Sequence, residues 1–116
     1  MKVALPRFGE SIAPCFEHTA TISIYLVVGQ QIGERTDFKL TSTNPLDRVR
    51  LLKDQRVHTL ICGGIEDRYQ TMVEGLGIHV ICWVSGEIGA LLGRFLRGEL
   101  DSGQTGSDPD STWGQG

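Results

Sequence analysis

The chain has three cysteines, and each sits in a different setting. Cys15 lies in a polar loop, "RFGESIAPCFEH", which opens at Arg7, passes Gly9, Ser11 and Pro14, and closes at His18. Cys62 ends an apolar run and is followed at once by Gly63 and Gly64 in "HTLICGG". Cys82 ends a second apolar run, "IHVICW", shortly before Ser85, Gly86 and Glu87. Thiolates with an imidazole suit a soft metal or an iron–sulfur species. Glycines without a Cβ let a ligand approach the backbone, and free amides at a helix start attract anions. Cys15, Cys62, Cys82 and His18 are therefore candidate metal ligands. Gly63, Gly64 and Gly86 are candidate backbone donors to a cluster or anion, and Arg7, Gly9 and Ser11 belong to the loop that frames them. Packing competes with this reading, because a cysteine at a strand end often serves as a small buried hydrophobe. The paired glycines equally suit a tight strand-to-helix turn. No spacing is a CxxC, HExxH or phosphate-loop pattern.

Whether these groups meet depends on the elements between them. Period-two and β-branched runs predict strands over 2–6, 19–28, 34–41, 57–62 and 78–83. Helical periodicity predicts helices over 44–56, 65–77 and 85–100. Asn44 and Pro45 supply an N-terminal signal, and Gly77 and Gly98 supply stops. The expected buried stripes are Leu46, Val49, Leu51 and Leu52; Ile65, Tyr69, Met72, Val73 and Leu76; and Ile88, Leu91, Leu92 and Phe95. The order β-β-β-α-β-α-β-α predicts an α/β domain over 1–100. Its core is a mixed five-stranded sheet with helices on both faces, since each β-α-β step must cross over right-handed. Ligands in such sheets collect beyond the carboxyl ends of the parallel strands. Cys62 and Cys82 end two of those strands and Cys15 follows the third, so all three fall at one edge. His58 and His79 begin strands at the opposite edge and are expected on the surface.

Charge narrows the partners. The net charge is −3, from Lys+Arg 11 against Asp+Glu 14. Asp101, Asp108 and Asp110 account for the whole excess, so residues 1–100 are neutral. A neutral body without a basic stripe argues against nucleic acid and against an anionic membrane surface. No apolar run approaches the ~18 residues of a membrane span. An odd cysteine count without close pairs does not resemble a secreted disulfide framework, so the expected location is cytoplasmic. Residues 101–116 are expected to form a flexible, acidic, Gly/Ser-rich tail whose one large apolar group is Trp113. Without a Ser-His-Asp set, paired acids or a phosphate loop, the chain is not expected to be an enzyme. The edge strand 34–41 leaves monomer or weak homodimer open.

Five stretches, "MKVALP", "IAPCFEHT", "NPLDRVRLL", "LICGGI" and "GLGIHVI" with "VSGEIGALLGRFLRGEL", carry a resemblance over residues 1–100. The chain resembles the dinitrogenase iron–molybdenum cofactor biosynthesis family, the small domains related to nitrogenase cofactor carriers. The resemblance implies a ribonuclease H-like α/β fold without nuclease activity. Nuclease chemistry of that fold needs clustered carboxylates for two metals, and the expected strands carry Asp37 and almost no other acid. The resemblance also implies carriage, storage or delivery of an iron–sulfur or molybdenum-containing cluster, a place in nitrogen-fixation cofactor biosynthesis, and assembly or acceptor metalloproteins as partners. A second reading is a thiol-based redox or regulatory protein without a cluster, in which Cys15 on a mobile loop bonds to Cys62 or Cys82.

Overall fold

The computed structural model describes residues 1–103. The expectations for residues 104–116, Trp113 included, lie outside the described residues. Six strands form one sheet: β1 (Lys2–Phe8), β2 (Ser11–Ile12), β3 (Thr21–Val28), β4 (Gln31–Lys39), β5 (Thr59–Ile61) and β6 (His79–Ile81). Three helices join them: α1 (Leu46–Asp54), α2 (Asp67–Gly75) and α3 (Ile88–Leu96). A 3-10 turn occupies Phe16–His18. The strand order is β4-β3-β1-β5-β6, with β2 paired to β1. The β1–β3 and β3–β4 pairs are antiparallel, whereas β1, β5 and β6 run parallel. The mixed α/β sheet is as expected.

The expected count of five strands is corrected to six. The extra strand is the two-residue β2, inside what reads as loop. Gly9 adopts φ 63 and turns the chain back, so that Arg7 faces Ile12 and Phe8 faces Ser11. The strand expected over 2–6 runs on through Pro6 to Phe8. A proline offers no N–H but keeps its carbonyl, and here that carbonyl accepts from the Ala13 N–H at 2.9 Å. Likewise β4 begins at Gln31, because Gly29 at φ 64 makes the preceding turn only two residues long.

Strand alternation divides the core in two. Ala4, Ile22, Ile24, Leu60 and Val80 pack with Leu52 of α1 and with Tyr69 and Val73 of α2. Val3, Leu5, Tyr25, Ile61 and Ile81 pack with Ile88, Leu91 and Leu92 of α3. Two expected stripes need correction. Leu46 is 36% exposed, Met72 43% and Leu76 41%. Leu46 begins α1 and Leu76 lies past the end of α2, since both helices are shorter than their sequence patterns. Instead α1 buries Arg48. Its guanidinium donates to the carbonyls of Thr19 (2.8 and 3.2 Å), Ser42 (2.7 Å) and Asn44 (3.2 Å). A buried charge is tolerable when its donors are satisfied in this way. His58 and His79 are exposed, as expected. No helix among the described residues is long and apolar enough to cross a membrane.

Candidate functional site

The segments that carry the three cysteines are joined by backbone hydrogen bonds at the carboxyl ends of β1, β5 and β6. The Cys62 N–H donates to the Ile81 carbonyl at 2.9 Å, the Val84 N–H to the Cys62 carbonyl at 3.2 Å, and the Trp83 N–H to the Gly63 carbonyl at 2.8 Å. Across the other side, the Phe16 N–H donates to the Gly64 carbonyl and the Gly64 N–H to the Pro14 carbonyl, both at 2.8 Å. Cys15 and Gly64 thus form an isolated parallel bridge. The Ile12 N–H donates to the Gly86 carbonyl at 2.9 Å, and Ser11 bridges to Glu87. Beyond β6, the Cys82 N–H donates to Ser102 Oγ at 3.0 Å and its carbonyl accepts from the Gly103 N–H at 2.9 Å. The Cys15 loop is therefore fastened, where the sequence suggested a mobile one.

The thiols differ sharply in access. Cys62 is fully buried and Cys82 is 5% exposed, both within the apolar cluster of Phe16, Ile65 and Tyr69. Burial pushes the Cys62 thiol up, and the nearby Cys82, Glu17 and Cys15 add to that. Cys15 is half-buried, and its Sγ donates to Glu17 Oε2 at 3.0 Å. Burial first, and then the Glu17 carboxylate, raise its pKa. His18 is exposed. Among the described residues, no three or more His, Cys, Asp or Glu side chains gather closely enough to hold a metal ion. Cys62 and Cys82 belong to the core cluster, while Cys15 and His18 line a surface cavity.

The paired glycines admit the chain's own loop. A Cβ on Gly63 would lie 2.5 Å from the Ala13 carbonyl oxygen, and one on Gly64 would lie 2.9 Å from that of Pro14. Gly64's amide is also committed to Pro14, so it is not a free anion donor. Gly86 sits at φ 118, which a side chain rarely adopts.

Four of the loop candidates surround one cavity of about 370 Å³: Arg7, Gly9, Cys15 and His18, with Phe8 and Pro14 among the other walls. Arg7 belongs to β1 and is 6% exposed. Its guanidinium donates to the Gly9 carbonyl (2.9 Å), Ser23 Oγ (3.0 Å), Tyr25 Oη (3.3 Å) and Glu10 Oε1 (3.1 Å). Ser23 in turn donates to Asp37 Oδ1 at 2.6 Å. Arg35 and then Ser23 hold the Asp37 carboxyl down to about 2. A thiol and an imidazole beside a partly apolar hollow suit a soft, polarisable body, while the Arg7 charge there is already paired with Glu10.

Two residues at this edge are not signalled as functional by the sequence. Glu17 is 3% exposed, and its Oε1 accepts from the Glu66 N–H at 2.8 Å. Its carboxylate occupies the start of α2, where the dipole favours negative charge and an external anion was expected. The only hint is an acid set between Phe16 and His18; its partner lies 49 residues away. Trp83 is 62% exposed, yet it holds a left-handed backbone at φ 59. For a bulky side chain that is an outlier.

The fold recurs in solved structures. The crystal structure of PH0822 superposes with a TM-score of 0.81 at 21% identity, covering 88% of this chain and 94% of that one. The MJ0327 protein of Methanocaldococcus jannaschii gives 0.74 at 18% identity, with 87% and 92% covered. The apo form of the orange protein from Desulfovibrio gigas gives 0.71 at 16% identity, with 87% and 91% covered. No curated protein matches. A family model described as "Dinitrogenase iron-molybdenum cofactor" matches residues 1–98.

Proposed function

The chain belongs to the dinitrogenase iron-molybdenum cofactor family, and from that premise we propose that it carries a metal–sulfide cluster as cargo. The cluster is iron–sulfur or molybdenum-containing, and the chain stores it or delivers it to an acceptor metalloprotein in the cytoplasm without catalysing a reaction. The observation that supports this most is the convergence of Arg7, Gly9, Cys15 and His18 on one cavity. Cys15 offers the accessible thiol and His18 an imidazole, while Arg7, paired with Glu10, forms part of the wall. Cys62 and Cys82 lie behind the 13–16 loop and become ligands only when that loop lifts. With Gly64 engaged, Gly63 and Gly86 are left as the amides that could donate to sulfide, a second shell that tunes such clusters as strongly as direct ligands do.

The strand order supports the ribonuclease H-like reading of the fold. The only acids on its six strands are Glu34 and Asp37, both on β4, which supports a cargo role over metal-dependent nuclease chemistry. The test is anaerobic purification followed by reconstitution with iron, sulfide and molybdate. Loaded protein should show visible charge-transfer absorption. Cys15→Ala should lower loading more than His58→Ala, because His58 is exposed at the opposite edge. Colourless protein without bound metal would overturn the reading.

A further inference from the structure

Trp83 is costly to keep and does not serve the core. Glycine is the residue that adopts a left-handed backbone freely, and six of the described glycines do so, Gly9, Gly29, Gly77, Gly86, Gly98 and Gly103, with Arg56 (φ 56) the other described non-glycine besides Trp83. Position 83 instead carries the largest side chain at φ 59 and leaves it 62% exposed. Strained residues persist where the surroundings over-determine them, and they cluster at ligand clamps. The surroundings here are tight. The Trp83 N–H is tied to Gly63, the next amide to Cys62, and both polar groups of the preceding Cys82 backbone to Ser102 and Gly103. The backbone of Trp83 is held at a defined place as a result. Its Cζ3 and Cη2 lie 3.2 and 3.3 Å from where a Gly64 Cβ would stand. Gly64 is the residue that bridges to Cys15. The indole edge therefore borders Gly64, the neighbour of the Cys15 segment, and stands next to the walls of the Cys15 cavity and not among them.

We infer that Trp83 is a cargo-contacting side chain, an aromatic wall on the β6 side of the Cys15 rim that packs against the sulfide surface of the cluster. This rests on the carrier reading above. Sulfur and an aromatic ring attract through polarisability, which is the chemistry a metal–sulfide body would present to an indole. It also explains why Gly64 lacks a side chain, since a Cβ there would press on the indole as well as on Pro14.

The chain has two tryptophans, so the experiment uses a Trp113→Phe parent in which Trp83 is the sole indole. Reconstitution with iron, sulfide and molybdate should remove most of its fluorescence in step with the rise in visible absorption. Trp83→Gly in the same parent should melt at or above the parent temperature, because glycine relieves the backbone. It should nonetheless load cargo roughly fivefold more weakly, the scale of one aromatic–sulfur contact. Trp83→Phe keeps an aromatic face and should load within about twofold of the parent. Loading without quenching, or full loading by Trp83→Gly, overturns the role of Trp83 and leaves the carrier reading intact. A Trp83→Gly melting point several degrees below the parent assigns the residue to stability and equally overturns it. No loading by the parent sinks both.

Discussion

Replacing Gly63 by alanine tests what the paired glycines are for. Gly63 does not have a left-handed backbone, so alanine meets no conformational penalty of its own. The chief obstacle is the Ala13 carbonyl oxygen: the new Cβ would stand 2.5 Å from it, with the Pro14 carbonyl oxygen and carbon at 3.2 and 3.3 Å, where ordinary contact begins at 3.4 Å. The 13–16 segment must therefore retreat by about 0.9 Å, since repulsion at that range is far steeper than any dispersion gain. Retreat strains the two 2.8 Å bonds that join Gly64 to Pro14 and Phe16, each worth about 1 kcal/mol net. It also lifts the fully buried Phe16, where losing part of the packing costs about 1 kcal/mol more. Against this, alanine restricts the unfolded chain and returns about 0.4–1 kcal/mol. The net expectation is a loss of about 2–3 kcal/mol, or a fall in Tm of roughly 10 °C for a domain of this size. Guanidinium melts with an unchanged slope would read it. Gly75→Ala is the control, because nothing lies within 4 Å of its Cβ; it should be neutral or slightly stabilising. If Gly63→Ala is as stable as the parent, the glycines do not serve the loop's close approach, and the ligand-approach reading regains ground.

Two other perturbations test contacts of the folded chain. Arg48→Met keeps the stem but strands the carbonyls of Thr19, Ser42 and Asn44, and should cost about 2–4 kcal/mol in urea melts; a change under about 0.5 kcal/mol would mean that water satisfies them equally well. Asp37 is held at about 2 when folded, below the ~3.9 of an unfolded aspartate. Its contribution is therefore present above about pH 4 and is lost as pH falls toward 2. Asp37 is 39% exposed, so screening keeps the amplitude small. Asp37→Asn should flatten that acid limb in a pH series of melts, and an unaltered slope would show that the Arg35–Asp37–Ser23 contacts do not stabilise the fold.

The sequence located the elements because their signals are local. Asn44 and Pro45 mark the start of α1, and the Asn44 side chain does accept from the Leu46 N–H at 3.1 Å. The alternating run 19–28 and the apolar runs ending at Cys62 and Cys82 place β3, β5 and β6, and the crossover rule places the cysteine segments at one edge. What stayed hidden depends on contacts between distant positions. β2 is two residues long and exists only because β1 is beside it. Arg48 looks like a solvated residue on a helix face until three carbonyls from the flanking loops converge on it. Glu17 looks like loop polarity until α2 brings the Glu66 amide to it. The paired glycines were legible as a place of close backbone approach, but not what approaches, since Ala13 and Pro14 lie some fifty residues earlier.

The fastening of the 13–16 segment also separates the two readings of the thiols. A disulfide from Cys15 to Cys62 or Cys82 requires the Cys15 sulfur to leave Glu17 and enter the core cluster, where Phe16 is fully buried. Both bonds to Gly64 and the buried Phe16 hold that segment, so the redox switch works against these contacts. It also needs a thiolate as the attacking species, and the groups around Cys15 and Cys62 disfavour one at both sulfurs. Capture of cargo at the cavity needs the Cys15 thiolate too, since the thiolate is the metal ligand, but it leaves the 13–16 segment in place. Cys15, His18 and the Arg7 cation already line the hollow, and a metal–sulfide body can meet Cys15 without moving the loop. The carrier reading thus begins from the folded state as it stands, while the switch must first draw the Cys15 sulfur away from Glu17.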